Sequence, residues 1–358
     1  MTAIPKTGLQ LQSVIKSSGE LVLSLAEVAV PQPAADEVLI QVEGSPLNPS
    51  DLGLLLGPAD LSTLADEGGI TTARVHEKLL VMVAARLDKS MPVGNEGAGV
   101  VVAAGSDPAA QSATRQDRRG GRRGDVRAIL RSEGGRCAGA AGRDHGGGRR
   151  VVLRQSARAL GMVETMRREG HTALVHTAAA SNLGQMLNKI CISDGIALVN
   201  IVRSAEQAKI LSNIGAKHVV DSTSPTFQAE LTAALIETKA AIAFDAIGGG
   251  KLADQILVGM EAAANSNASA YSVYGSSVLK QVYIFGRMDR RPTELSSGDY
   301  GLTWAVGGWL LTNFLIKQRP EEAQRLRRRV GDFDLNGSAA SISEFVEVRT
   351  RDRSSLNI

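Results

Sequence analysis

The 358-residue sequence predicts an α/β protein in which a doubly wound parallel sheet follows a smaller, mostly β domain. In the N-terminal third, the runs Glu20–Val30 and Glu37–Val42 alternate apolar and polar residues, as half-buried strands do. In the second half, short apolar runs alternate with segments of helical spacing. That alternation is typical of buried parallel strands connected by helices.

The N-terminal region is predicted to be a small β domain with frequent turns. Pro31 and Pro33 separate the first two strands, and residues 44–51 are predicted to form a loop. A Gly-rich segment, Met91–Gly99, then leads into a strand at Val100–Val102.

The second half contains four predicted parallel strands, at residues 172–177, 197–202, 217–220 and 241–245. The predicted helices lie at residues 185–191, 205–214 and about 226–237. Gly215 is placed to end the second helix, and the run Gly248–Gly250 ends the fourth strand. Strands and helices at this spacing predict a doubly wound sheet.

The turn after the first of these strands is the expected site for a pyrophosphate group. Backbone N–H groups at a helix N-terminus point toward such an anion, and the helix dipole favours its charge. The usual fingerprint has three glycines, whereas this turn keeps only Gly184 and has small residues at Ala178–Ser181. The residues expected to contact a dinucleotide here are Thr177, Ser181, Asn182, Leu183 and Gly184.

The end of the second strand is where such a sheet distinguishes NAD from NADP. An Asp or Glu accepts a hydrogen bond from the ribose 2′-hydroxyl of NAD, whereas an Arg suits the 2′-phosphate of NADP. This chain has Arg203 and Ser204 there, and no acidic residue before Glu206. We therefore predict NADPH as the cofactor, with NADH as the alternative; Arg203 as a merely solvated side chain also stays open.

Five segments resemble the medium-chain dehydrogenase/reductase superfamily. VPQPAADEVLIQVEGSPLNPSDL (residues 30–52) and MPVGNEGAGVVVAAG (91–105) resemble its GroES-like N-terminal domain. IVRSAEQAKILSNIGAKHVVDS (201–222), IAFDAIGGGKL (242–252) and QVYIFGRMD (281–289) resemble successive elements of its Rossmann-type domain. By position in that family, four further residues are expected near the nicotinamide: Gly248, Gly249, Phe285 and Gly286.

The resemblance extends to the zinc-independent, quinone-oxidoreductase-like branch of the superfamily. Zinc-dependent members have a Gly-His-Glu motif whose His binds the metal, and this chain has Asn95 in place of that His. Residues 48–51, where the upstream Cys ligand would fall, contain no Cys, and we find no other zinc ligand set. Asn48 and Ser50 are candidates to line the nicotinamide and substrate cleft, with capping of the loop before Pro49 as an equal alternative for Asn48.

The resemblance implies transfer of a hydride from NADPH to a quinone or an α,β-unsaturated carbonyl. The protein in such a reaction orients the reactants and excludes water. No side chain can be named as the catalytic acid, since all four Tyr lie at Tyr271 or later. The alternative is a damaged, inactive family member that at most binds the nucleotide, so activity of this chain stays open.

The stretch Arg115–Arg158 differs sharply from the sequence on either side. It holds thirteen Arg, ten Gly, four acidic residues and no Lys, Phe, Tyr or Trp. It therefore contributes +9 to the net charge of +3, and the remaining chain carries −6. Without aromatic residues for base stacking it does not predict a nucleic-acid partner. Dense like charge predicts an irregular, poorly ordered and exposed stretch without strand pairing and with many unpaired arginines.

A shifted reading frame accounts for this composition. Permitted codons for Arg115–Leu130, read one nucleotide later, give GKTVAAVGGAMYAQY, which suits a strand with a Gly turn. The same treatment of Val151–Ser156 gives SSFVNP, which in the family precedes the helix that starts here near Ala159. We hypothesise two compensating insertions or deletions, near residues 113–115 and 157–158, with a genuine Arg-Gly insertion as the alternative. Sequencing the gene distinguishes them.

The predicted domains are residues 1–155 and 156–320, followed by a segment at 321–358 for which a return to the first domain is open. The apolar segment Trp304–Phe314 is expected to be helical and to serve the core or a homodimer interface. No apolar run approaches the roughly 20 residues of a membrane span. The N-terminus also lacks a secretory signal, so a cytoplasmic protein without a membrane partner is expected.

The remaining metal-ligating residue types are expected to be structural. Two cysteines, Cys137 and Cys191, are too few for a disulfide framework, and Cys191 is predicted to lie in the core. Three histidines lie along or beside predicted strands and are expected to be structural or surface residues: His171, His176 and His218.

Overall fold

The structure is a computed structural model. It describes residues 4–35, 37–44, 49–94, 98–108, 110–111, 125–126, 148–149, 154–266, 268, 271–296, 298–319, 321–322, 325–326 and 329. These residues divide into two compact units, one within residues 1–153 and the other within residues 154–338. The predicted boundaries at 155 and 320 stay predictions, and most of the segment 321–358 lies outside the described residues.

The N-terminal unit consists mainly of antiparallel strands. They are β1 (Thr7–Ile15), β2 (Glu20–Ala29), β3 (Val38–Gly44), β4 (Ala59–Glu67), β5 (Ile70–Val75), β6 (Met91–Pro92) and β7 (Ala98–Ala104). One sheet has the order β4-β5-β2-β1-β6, and β3 pairs separately with β7. The short helices are α1 (Pro49–Leu55) and α2 (Glu77–Leu80), with a 3-10 turn at Val81–Arg86. Side chains alternate between the two faces of a strand, and buried side chains from β1, β2 and β5 form the core. They are Ile15, Leu21, Leu23, Ala73 and Val75.

The loop predicted at residues 44–51 is wrong at both ends, because β3 includes Gly44 and α1 begins at Pro49. Proline suits the first position of a helix, where its missing N–H is not needed and its φ is already helical. Residues 45–48 lie outside the described residues.

Few residues of the stretch Arg115–Arg158 are described, and at these the predicted irregular, unpaired structure is wrong. Strands β8 (Asp125–Val126) and β9 (Gly148–Arg149) form a two-residue parallel pair. Helix α3 (Arg154–Arg168) begins inside the stretch. In this helix Ser156 is fully buried, and Arg158 has an interaction partner. The apolar residues that follow in α3 are buried, and they anchor a helix that extends back by one turn. The rest of the stretch, with its predicted poor order, lies outside the described residues.

The second unit is built on a six-stranded parallel sheet. Its strands are β10 (Ala173–His176), β11 (Ala197–Val202), β12 (His218–Asp221), β13 (Ile242–Asp245), β14 (Lys280–Ile284) and β15 (Trp304–Gly308). The spatial order is β12-β11-β10-β13-β14-β15. Counted within the unit, this is the 3-2-1-4-5-6 order of the Rossmann fold. The predicted doubly wound sheet, preceded by a mostly β region, is therefore confirmed.

Helices follow most of these strands, and all but the last helix lead from one strand to the next. They are α4 (Asn182–Asp194), α5 (Ala205–Asn213), α6 (Phe227–Thr238), α7 (Leu252–Ser266) and α8 (Leu311–Ile316). On one face, buried strand residues such as Val175 and Ile201 pack against Leu231 of α6 and Leu257 of α7. This packing fixes the strand ends that carry the candidate site.

The predicted helix at Trp304–Phe314 is wrong in its first half. Trp304–Gly308 pairs in parallel with β14 as the sixth strand, and only Leu311–Ile316 is helical. The periodicity of a short apolar run is compatible with a helix or a strand. Here the run pairs with β14 at the edge of the sheet and is therefore a strand.

Candidate nucleotide-binding site

The order of the strands reverses between β10 and β13, which are neighbours in the sheet. The connection after β10 leads to one side and that after β13 to the other, so the loops diverge and leave a crevice at the carboxyl ends. The predicted cofactor residues follow β10, β11, β13 and β14. Since parallel strands end at a common edge, the structure brings these residues to one edge of the second unit.

The turn between β10 and α4 comes very close to its own helix. A Cβ on Gly184 would lie 2.1 Å from the carbonyl oxygen of Ala179, so only glycine fits there. Ala178 has a φ of 50°, a conformation that usually requires glycine. The Ser181 hydroxyl caps the helix by accepting a 3.2 Å hydrogen bond from the Gly184 N–H. The turn therefore has the tight geometry of a pyrophosphate loop with fewer glycines.

Thr177 connects the two strands that border the crevice. Its hydroxyl donates to Asp245 Oδ1 at 2.7 Å and accepts from the Ala246 N–H at 2.8 Å. The Asp245 carboxylate also accepts from the Ile247 N–H at 2.9 Å and the Gly248 N–H at 3.0 Å. Thr177 and Asp245 are both buried. The Thr177 side chain is thus engaged in holding the loop after β13, a role that the sequence analysis did not identify.

Arg203 lies directly after β11, with its side chain exposed. Its backbone N–H donates to Gln207 Oε1 at 3.1 Å, and the Ser204 hydroxyl caps α5 by accepting from the Gln207 N–H. The backbone of Arg203 is therefore fixed, while its guanidinium group is exposed to solvent. Glu206, the acidic residue considered above, has a pKa lowered by its hydrogen bond with Ser204, so it is ionised at neutral pH.

The loops after β13 and β14 pack backbone against backbone. A Cβ on Gly248 would lie 2.5 Å from the Gly286 carbonyl oxygen, and one on Gly286 would lie 2.4 Å from that of Ala246. A Cβ on Gly249 would lie 2.6 Å from the Arg291 carbonyl oxygen. These glycines are required by the contact between the two loops. That contact holds both loops at the crevice edge, whatever they also bind.

Phe285 lies beside a buried histidine. Its half-buried ring stacks on the ring of His176, with centroids 5.7 Å apart. Burial lowers the pKa of His176 to about 3, so the imidazole is neutral. The expectation of a surface position is wrong for His176, which is fully buried, and its structural role stays a prediction.

The other expectations about single residues have mixed outcomes. Asn48 lies outside the described residues, and Ser50 lies in α1 with only its backbone described. Cys191 is confirmed as a core residue; burial, with a smaller contribution from Asp194, raises the pKa of its thiol to about 12. His218 is half-buried, with Nε2 3.8 Å from a Glu237 carboxylate oxygen.

The described residues show neither a metal-binding cluster nor a membrane-spanning helix. They contain no group of three or more His, Cys, Asp or Glu side chains placed to hold a metal ion. No helix among them has both the length and the apolar character needed to cross a membrane. Independence of zinc stays a prediction.

Solved structures of reductases share this fold. A protein from Mesorhizobium loti assigned as an NADPH:quinone reductase has a TM-score of 0.57 and 20% identity, over 96% of this chain and 97% of that chain. A similarly assigned protein from Bacillus thuringiensis has a TM-score of 0.56 and 16% identity, over 90% and 86%. A mutant enoyl thioester reductase from Candida tropicalis has a TM-score of 0.53 and 15% identity, over 91% and 87%.

These likenesses show that the chain shares its fold with solved reductases, and this is the fold that the resemblance implied. No model of a known family and no curated protein matches the sequence. One further structure of this fold is a mycobacterial protein complexed with NADPH, at a TM-score of 0.53 and 17% identity.

Proposed function

We propose that this chain binds NADPH at the carboxyl edge of its parallel sheet and acts as an oxidoreductase. The observation that carries the proposal is the turn between β10 and α4. There Gly184 allows an approach that any side chain would block, and a capped helix begins. Such a turn suits the pyrophosphate of a dinucleotide. Solved structures of the same fold, one assigned as an NADPH:quinone reductase and one complexed with NADPH, support the proposal.

Each part of the site has a role in this proposal. The backbone of Ser181, Asn182, Leu183 and Gly184 binds the pyrophosphate at the start of α4. Arg203 binds the ribose 2′-phosphate, since a guanidinium matches phosphate in charge and geometry. The loops of Gly248, Gly249, Phe285 and Gly286 border the nicotinamide. Thr177 and Asp245 keep these loops in place. Bound NADPH supplies a hydride from its nicotinamide ring.

The hydride acceptor in our proposal is a quinone or an α,β-unsaturated carbonyl, reduced without zinc. Asn95, in place of the family's zinc-binding His, supports the absence of a metal, and Asn48 and Ser50 are proposed to line the substrate cleft. NADPH oxidation should be measured with a panel of quinones and enones, with and without a metal chelator. Turnover above the no-enzyme control that the chelator leaves unchanged supports this assignment, and turnover lost with the chelator contradicts the zinc-free part.

The second candidate function is nucleotide binding without turnover. The composition of Arg115–Arg158 favours it, because a shifted reading frame there would replace strands of the catalytic domain that the resemblance implies. Saturable NADPH binding with no oxidation for any acceptor supports this candidate, and oxidation of any acceptor above the control excludes it. A homodimer, a cytoplasmic location and the domain boundaries given above complete the proposal; light scattering tests the dimer.

A further inference from the structure

His176 is a buried polar side chain without a polar partner. It is the last residue of β10, it is 0% exposed, and neither ring nitrogen has a hydrogen-bond partner in the part of the chain that the structure describes. Burying a polar group without a partner is costly, and buried polar groups in native proteins are nearly always satisfied by protein, water or ligand. The position of His176 at the crevice end of β10 suggests a ligand.

The ring of Phe285 covers this histidine on the side of the loop after β14. The two rings stack, and Phe285 is itself half-buried. The Phe285 N–H donates to the Asp245 carbonyl at 2.9 Å, and Gly286 is packed against the Ala246 carbonyl, so the backbone is fixed. With the backbone fixed, a movement that separates the Phe285 ring from His176 would be a change of the Phe285 side-chain rotamer.

The chemistry of the imidazole restricts what it can bind. Because burial keeps the ring neutral, one ring nitrogen donates and the other accepts a hydrogen bond. A neutral donor and acceptor suits a hydroxyl or carboxamide group better than a phosphate. A dinucleotide bound across the reversal between β10 and β13 carries such groups on its nicotinamide half, and the phosphates lie at the start of α4.

We propose that His176 is a binding residue for the nicotinamide half of the dinucleotide, reached when the Phe285 ring rotates aside, and that it hydrogen-bonds a ribose hydroxyl or the carboxamide. This inference rests on the proposed binding of NADPH. It gives His176 a role in ligand binding that the sequence does not indicate.

The direct test is NMR of the imidazole nitrogens in protein labelled at histidine. The signals of His176 are assigned by their loss in His176→Phe. Saturation with NADPH should shift them, whereas saturation with adenosine 2′,5′-bisphosphate, which lacks the nicotinamide half, should not. Unshifted signals in protein that fluorescence shows to be saturated with NADPH would overturn the inference.

A binding comparison provides an independent readout. His176→Phe keeps a ring for stacking on Phe285 and removes both nitrogens; we expect the Kd for NADPH to rise about 5-fold and that for adenosine 2′,5′-bisphosphate to stay unchanged. His171→Phe is the matched control, since His171 also has an unpartnered buried nitrogen but precedes β10. It should change neither Kd.

Equal rises in both Kd values, or no rise in either, would contradict a contact specific to the nicotinamide half. A wild-type protein that binds no NADPH would instead refute the proposed function, so the two failures are distinguishable.

Discussion

Thr177 and Asp245 are 68 residues apart in sequence, yet their side chains meet in a 2.7 Å hydrogen bond across the reversal of strand order. The bond ties the first turn of the candidate site to the loop after β13. Because both residues are buried, the contact is shielded from water. It accounts for how loops from two strands are held at one crevice.

Replacing Thr177 with Val should destabilise the protein and weaken nucleotide binding. Valine keeps the shape but leaves the Ala246 N–H unsatisfied and removes one of the two hydrogen bonds to Asp245 Oδ1, which still accepts from the Ile247 N–H; we expect a cost of about 1–3 kcal/mol. Thr177→Ser, which retains the hydroxyl, is the control and should lose less than half as much. Urea unfolding measures the stability of the two variants, and fluorescence titration with NADPH measures their nucleotide binding. A valine variant as stable as wild type would show that the bond contributes little.

Replacing Gly184 with Ala should distort the turn between β10 and α4. The added methyl would meet the backbone oxygen of Ala179, which cannot move alone, and we expect a loss of about 1–3 kcal/mol in unfolding free energy together with weaker NADPH binding. Gly308→Ala is the matched control, because a Cβ there meets no atom within 4 Å. Similar NADPH affinities for the two variants would contradict the close-approach role of Gly184.

Replacing Arg203 with Ala should change the preference between cofactors. Losing a charge-assisted contact of about 1.5–3 kcal/mol weakens NADPH binding by about 10-fold or more, while NADH binding stays unchanged. Lys317→Ala is the control; Lys317 is also exposed but follows α8, whose Phe314 ring contacts Arg168 of α3, and not a strand of the candidate site. Fluorescence titration gives the four affinities. An equal loss for both cofactors would refute recognition of the 2′-phosphate by Arg203.

Replacing Glu261 with Gln should destabilise the second unit by about 3–5 kcal/mol, because Lys280 would remain buried without a counter-ion. Lys280 Nζ donates to Glu261 Oε2 at 2.5 Å, and its side chain is 0% exposed. The double variant Glu261→Met with Lys280→Met removes both charges and should recover most of the stability. Chemical denaturation checks this order. A double variant less stable than the single one would contradict it.

The same ion pair should make stability depend on pH in the acidic range. Burial alone would raise the pKa of Glu261, but hydrogen bonds from Lys280 and Ser276 outweigh it and lower the pKa to about 2, from an ordinary 4.5. A carboxyl group with a lowered pKa stabilises the fold above its unfolded pKa. That contribution should fall away as the pH drops from about 4.5 toward 2. The double methionine variant should lack this component in its pH dependence of unfolding; an unchanged profile would refute the assignment.

The parallel sheet is predictable because its strands are short apolar runs with loops at their ends. Ala173–His176 and Ile242–Asp245 lie within the predicted ranges. Helix α4 is longer than predicted because the Ser181 cap and the left-handed Gly195 set its ends, whereas apolar spacing indicates only its middle. The segment Trp304–Gly308 is missed as a strand because its pairing with β14 is a long-range contact.

The candidate site is predictable where recognition depends on local sequence. Gly184 and Arg203 are found from their places after strands, and the structure gives each a geometry suited to its expected role. The Thr177–Asp245 bond and the stacking of His176 on Phe285 are not, because each joins residues from different strands. Only the order of strands in the sheet brings such pairs together.

Fluorescence titration of the full-length wild-type chain with NADPH and with NADH tests the central claim most directly. The account predicts saturable binding of both nucleotides, with NADPH about 10-fold tighter because Arg203 contacts its 2′-phosphate. No saturable NADPH binding by protein that circular dichroism shows to be folded would contradict the account.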